Sequence, residues 1–159
     1  MNENDISYKI IGIAIELHTK LGPGLLESAY EYSLAYELRS AGMNVDQQVA
    51  MPFIYKDIKL ECCYRIDLRV DNKVIVEVKS IENLAPVHFS QLLTYLKLSG
   101  CKLGLLINFN SFQLKDGIHR VVNGLYFSAF LNITINQLNV LRPLRSLSLR
   151  PLREILLQT

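Results

Sequence analysis

The sequence predicts a mixed α/β domain, helices packed against a central sheet, and three observations predict it. Two stretches of helical periodicity open the chain, nearly perfect alternation of apolar residues marks its middle, and one more helical stretch leads into a short apolar run. The order helix, helix, strands, helix, strand suits a layered domain in which each helix buries one face on the sheet. The chain has 159 residues, enough for one domain or one domain plus a tail. Half of it is apolar, so a core can form without disulfide or metal staples.

Residues 5–21 predict an amphipathic helix, because Ile10, Ile11, Ala14, Leu17 and Leu21 recur at helical spacing. Gly22, Pro23 and Gly24 break it. A second helix is expected over 25–40, with Leu26, Ala29, Tyr30, Ser33, Leu34 and Leu38 as its inner stripe, and Ala41-Gly42 ends it. Extended segments follow at 45–50 and 52–56, a turn at Lys56-Asp57, and a return strand at 58–63. The clearest element is a hairpin of 64–70 and 74–79. Its alternation puts Ile66, Leu68 and Val70 with Val74, Val76 and Val78, and puts Arg65, Asp67 and Arg69 with Ile75, Glu77 and Lys79. Keeping the apolar residues on one face requires Val70 opposite Val74 and Asp67 opposite Glu77. That demands a three-residue turn or a bulge around Asp71-Asn72-Lys73. A third helix is expected over 85–99, a buried strand over 102–109 and another over 118–122.

Residues 126–159 read as an appendage to a domain of 1–125. The segment LRPLR occurs at 141–145 and again at 149–153, and its prolines would interrupt a long helix. The formal charge is +2, but 141–159 alone carries +3, leaving the rest near −1. Bulk charge therefore does not mark the main domain as a nucleic-acid binder. No apolar run reaches the ~18 residues that span a bilayer. The start, Met-Asn-Glu-Asn-Asp, lacks a secretion pattern. A cytoplasmic location without membrane contact is expected. Cys62, Cys63 and Cys101 form no CxxC pair and read as reduced, buried thiols.

Asp67 with Glu77-Val78-Lys79 is the feature that carries chemistry. Cross-strand pairing would bring the two carboxylates to ~5 Å at their Cβ atoms. Such carboxylates repel, and a divalent cation between them resolves the conflict. Lys79, two residues on and on the same face, can stabilise charge at a phosphate, the layout of metal-assisted phosphodiester cleavage. Taken alone, Glu-x-Lys arises by chance, and a charged strand face is usually solvated. Glu27, by position, reads as an acid complementing a helix dipole. Tyr30 reads equally well as a core aromatic with a satisfied hydroxyl. Gln91 and Tyr95 share a helix face at i, i+4 and could orient a phosphate or base edge, although by default Tyr95 is core and Gln91 surface. His18, His88 and His119 form no HxxxH or HExxH motif, which disfavours a zinc hydrolase. GxxxxGK(S/T), GxGxxG and GxSxG are also absent.

These residues carry a resemblance. Gly24-x-x-Glu27-x-x-Tyr30 resembles the signature of the bacterial GxxExxY protein family, within the PD-(D/E)XK nuclease superfamily. The likeness continues through Tyr64-Arg-Ile-Asp67, Val76-Glu77-Val78-Lys79, Gln91-x-x-x-Tyr95 and Gly104-Leu-Leu-Ile-Asn108-Phe109. It covers roughly residues 6–125, with Ile66 where the superfamily motif has proline. The resemblance implies a restriction-endonuclease-like αβββαβ core. It implies Mg²⁺ or Mn²⁺ on Asp67 and Glu77, with the Val78 carbonyl as a further ligand and Glu27 completing the metal shell. Lys79 would assist the attacking water, while Gln91, Tyr95 and Tyr30 would orient substrate.

The expected function is a metal-dependent nuclease that hydrolyses phosphodiester bonds through metal-activated water, on DNA in preference to RNA. A domain this small would need a second copy or a protein partner to grip its substrate. The alternative is a non-catalytic nucleic-acid- or partner-binding module that retains the fold.

Overall fold

The structure is a computed structural model that describes residues 1–123; the side chains of 53–55 and 59–63 lie outside that description. The expected appendage, 126–159, therefore lies outside the described residues, as do the side chains of Cys62 and Cys63.

Helix α1 (Glu3–Leu21) begins two residues earlier than its apolar spacing suggests. The Asn2 side chain accepts the Asp5 N–H while the Asp5 side chain accepts the Asn2 N–H, so two otherwise orphaned donors are satisfied. Ile6, Ile10, Ala14 and Leu17 form its buried stripe, and Leu21 is exposed. Helix α2 (Glu27–Ser40) starts two residues later than expected. Leu26, expected on the inner stripe, is its N-cap and is 78% exposed, whereas Tyr30, Leu34, Ala35 and Leu38 are buried.

The two extended segments after α2 form one strand, β1 (Val45–Tyr55), with an irregularity between Met51 and Phe53. The turn at Lys56-Asp57 leads into β2 (Ile58–Val70), which is also continuous. Strand β3 (Val74–Lys79) follows a three-residue turn in which Asp71 and Asn72 take left-handed φ of 49° and 57°. Asp and Asn are the non-glycine residues that tolerate this conformation best. The predicted register is found: Val70 pairs with Val74, Arg69 with Ile75 and Leu68 with Val76. Helix α3 (Pro86–Ser99) carries the chain to β4 (Leu103–Asn108), which runs parallel to β3, and β5 (Ile118–Val122) closes the edge.

Among the described residues, the sheet has five strands in the order β1-β2-β3-β4-β5 and is mixed, parallel only between β3 and β4. Helices α1 and α2 share one core cluster with Leu68, Val70, Val74, Val76 and Val78. Helix α3 packs Leu92, Tyr95 and Leu96 into a second cluster with Ile75, Leu106 and Val121. Strands β3 and β4 are buried almost throughout, as expected for a parallel pair covered on both faces. The fold is thus the expected α+β arrangement, three helices on a mixed sheet. No helix among the described residues is long and apolar enough to cross a membrane.

One apolar position departs from the predicted alternation. Ile66 belongs to the cluster on the α3 side, with Ile75, not to that of Leu68 and Val70. The same exchange occurs on β1, where Val45 lies in the α1–α2 cluster while Val49 and Met51 pack on the α3 side. Between the pairs Gln47–Leu68 and Val49–Ile66 lie Gln48 and Asp67. Gln48 has φ of 52°, a left-handed residue within a strand, and there the two strands exchange faces.

Candidate active site

The site begins at that exchange. The β2–β3 ladder ends at Leu68–Val76, one pair short of the expected Asp67–Glu77 pair. In its place the Asp67 carboxylate accepts the Val78 N–H at 2.9 Å. A side chain thus takes the acceptor role that a strand carbonyl would have held, and it fixes the carboxylate against the backbone beside Glu77.

Glu77 is 1% exposed. Its Oε1 accepts from Lys79 Nζ at 2.7 Å, while its Oε2 is buried and has no hydrogen-bond partner among the described residues. Lys79 Nζ also lies 3.6 Å from Glu27 Oε1, and the Glu27 side chain is 43% exposed. The ammonium therefore stands between a buried carboxylate and a half-exposed one, at the mouth of the site.

Burial raises both inner acids. Desolvation lifts Asp67 to about 6, although the Val78 N–H and the Lys79 charge oppose it. Desolvation and then the Asp67 charge lift Glu77 to about 7, against the pull of Lys79. Burial alone would lower Lys79, but the Glu77 carboxylate, its hydrogen bond and the Glu27 charge outweigh it, so Lys79 is raised and stays charged. One buried and one half-buried acid that resist ionisation, the buried one with an orphaned oxygen, leave a strong local demand for positive charge.

A family model of the PD-(D/E)XK nuclease superfamily matches residues 4–121, which includes every one of these side chains. The chain belongs to the PD-(D/E)XK nuclease superfamily. No curated protein and no solved structure gives a significant match.

The superfamily implies a divalent cation, and the donors present fit one. Asp67 and Glu77 supply hard anionic oxygens, and Glu77 Oε2 is a buried acceptor without a donor. Among the described residues, no group of three or more His, Cys, Asp and Glu side chains is gathered as a metal cage. Glu27 Oε1 lies 3.6 Å from Lys79 Nζ, and the Glu27 charge also acts on Asp67 and Glu77. Two carboxylates match Mg²⁺, which usually takes one or two and completes its octahedron with water and phosphate oxygens. Val78 gives its N–H to Asp67 and buries its side chain in the core.

The remaining sequence-selected residues divide. Tyr30 is fully buried and stacks on Phe109 with ring centroids 4.5 Å apart. Its hydroxyl donates to the Gly22 carbonyl at 2.6 Å and accepts the Leu25 N–H at 3.1 Å. It clamps the α1–α2 loop that leads into Glu27. Gly24 sits in that loop at φ of 101°, open to glycine and strained for other residues. Ser80 Oγ donates to the Leu25 carbonyl, tying the same loop to the end of β3. Gln91 Nε2 donates to Tyr95 Oη at 2.7 Å, so these two form one unit on α3. The unit faces the acids: burial raises the Tyr95 hydroxyl, the Gln91 hydrogen bond opposes this, and the Glu77 and Asp67 charges add to the rise.

Sequence reasoning missed the supports of Lys79. The Phe109 N–H donates to the Lys79 carbonyl at 2.7 Å, and the Phe109 carbonyl pairs with His18 Nε2 of α1 at 3.1 Å. Asn108 brackets the next residue but one, its amide donating to the Ile81 carbonyl and its Oδ1 accepting the Ile81 N–H. Sequence reasoning also missed Glu31, 5% exposed, which accepts from Gln48 Nε2 at 2.7 Å and from Gln47 Nε2 at 3.3 Å. The available signal was its i+4 spacing from Glu27 on one helix face.

Proposed function

We propose that this member of the superfamily is a Mg²⁺- or Mn²⁺-dependent nuclease that hydrolyses phosphodiester bonds of DNA or, as the second choice of substrate class, RNA. The observation that carries the reading is the orphaned Oε2 of Glu77, buried beside Asp67 and one bond away from a charged lysine. Asp67 and Glu77 hold the cation. A bound cation of this kind polarises a phosphoryl oxygen and lowers the pKa of water.

The chain's own residues do the rest. Lys79 stays protonated, so its role is electrostatic: it stands where charge develops on the phosphate and needs no reorganisation there. Glu27 steadies the exposed side of Lys79. The Gln91–Tyr95 unit orients substrate from α3, and Tyr30 and Gly24 position Glu27. This division of labour gives each letter of Gly24-x-x-Glu27-x-x-Tyr30 a physical task, which supports placing the chain in the GxxExxY family.

The reading assigns the catalytic domain to residues 1–125, with 126–159 appended, in a cytoplasmic protein that grips its substrate with a second copy or a protein partner. The test is cleavage of labelled single- and double-stranded DNA and RNA with Mn²⁺, using Glu77→Ala as control. Cleavage by the parent alone supports the proposal and names the substrate class. An absence of both cleavage and Mn²⁺ binding would leave a non-catalytic module with the nuclease fold.

A further inference from the structure

Asp67 reaches Val78 because β1 and β2 exchange faces at Gln48 and Asp67. An exchange of this kind needs a cause that outlasts strand propensity. Gln48 is not glycine, yet it holds φ of 52° within β1. Such a conformation is strained for a residue with a side chain and persists only where surrounding contacts hold it. One such contact is the side-chain bond from Gln48 Nε2 to Glu31 Oε2 at 2.7 Å. Glu31 is 5% exposed, and its other oxygen accepts from Gln47 at 3.3 Å. A buried carboxylate accepts from the side-chain amides of two adjacent residues of one strand at the point where that strand reverses its faces.

We propose that Glu31 is a positioning residue for the active site: through Gln48 it locks the face exchange that turns the Asp67 carboxylate onto the Val78 N–H. Helix α2 then serves the site twice, with Glu27 at Lys79 and Glu31, one turn later, at the strand that faces Asp67. The consequence for cation binding rests on the reading of Asp67 as a ligand. The consequence for the Asp67–Val78 bond does not.

The experiment compares Glu31→Ala, Glu31→Gln and Gln48→Ala with the parent. Both Glu31 variants remove the charge, but glutamine keeps an oxygen that accepts from Gln48. Gln48→Ala removes the carboxamide that reaches Glu31 and keeps a side chain that disfavours the left-handed backbone, so it serves if Glu31→Ala does not fold. The first readout is hydrogen exchange of the Val78 amide in metal-free protein. The expected result is exchange about tenfold faster in Glu31→Ala and Gln48→Ala, and near the parent rate in Glu31→Gln, as for loss of one supporting hydrogen bond. The second readout is Mn²⁺ affinity, expected to weaken about 10- to 100-fold in Glu31→Ala and Gln48→Ala and to be retained by Glu31→Gln. Parent-like Val78 exchange in Gln48→Ala overturns the proposal. So does a Glu31→Gln variant that exchanges as fast as Glu31→Ala, because charge and not the bond would then matter. If the parent itself binds no Mn²⁺, the nuclease reading fails, while Val78 exchange still decides this inference.

Discussion

Lys79 donates to one oxygen of Glu77 at 2.7 Å and leaves the other oxygen buried and unpartnered. The pair is therefore half satisfied. The lysine offsets part of the cost of burying Glu77, and the remaining oxygen points to what the site takes up from solution. Four predictions follow from that geometry and its supports.

Removing the acid removes the cation. Glu77→Ala and Asp67→Ala should each abolish Mn²⁺ binding, read by calorimetric titration. Glu77→Gln should bind no Mn²⁺ either, yet it should make metal-free protein at pH 8 more stable, by roughly 1–3 kcal/mol, because folding raises the Glu77 acid even with Lys79 beside it, so its ionised form is net unfavourable in the native state. A Glu77→Gln variant less stable than the parent at pH 8 would show that the ionised Glu77 is well compensated.

Lys79 should separate binding from chemistry. Lys79→Ala keeps both carboxylates, so Mn²⁺ should still bind, while kcat for DNA cleavage should fall about 10²–10³-fold, the usual cost of a lost charge-stabilising donor. Parent-like cleavage by Lys79→Ala would remove its assigned role.

Stability should fall as pH rises. Folding raises Asp67 from 3.8 to about 6 and Glu77 from 4.5 to about 7, mainly through burial. Between those limits the native state binds more protons than the unfolded chain, so unfolding free energy declines with pH. The contribution is complete below pH 4 and is lost as pH passes 7, of the order of 3 kcal/mol for each acid taken singly. Subtracting the Glu77→Gln curve isolates the Glu77 share from other carboxylates. Mn²⁺ needs the ionised ligands, so its stabilisation should be small at pH 5 and large at pH 8. Thermal unfolding at both pH values, with and without Mn²⁺, checks the sign.

Tyr30 should act at a distance. Tyr30→Phe keeps the stack on Phe109 but frees the Gly22 carbonyl and the Leu25 N–H. Stability should drop by about 1–2 kcal/mol, and kcat should fall through a loosened Glu27 while Mn²⁺ affinity at Asp67 and Glu77 is kept. A loss of Mn²⁺ affinity would instead place Tyr30 close to the ligands.

Much of this was legible because it is local. The alternation of 64–70 and 74–79 dictated the Val70–Val74 register, since any slip of one residue would turn aliphatic side chains to the wrong face. That register carried the three-residue turn and the neighbourhood of Asp67 and Glu77 with it. Lys79 was placed by its spacing of two from Glu77. The same logic failed at Ile66, because strict alternation assumes a regular strand and Gln48 breaks it.

By itself, then, the sequence determined the order of elements, the hairpin pairing and the clustering of Asp67, Glu77 and Lys79, all set by periodicity and short spacing. Only the tertiary structure decided that Leu26 is exposed and Tyr30 clamps a loop, that Glu27 meets Lys79, that Phe109 and His18 bond in series behind Lys79, and that Glu31 bonds Gln48. Those contacts join residues far apart in the chain, and no local pattern encodes which distant partners packing will bring within hydrogen-bonding distance.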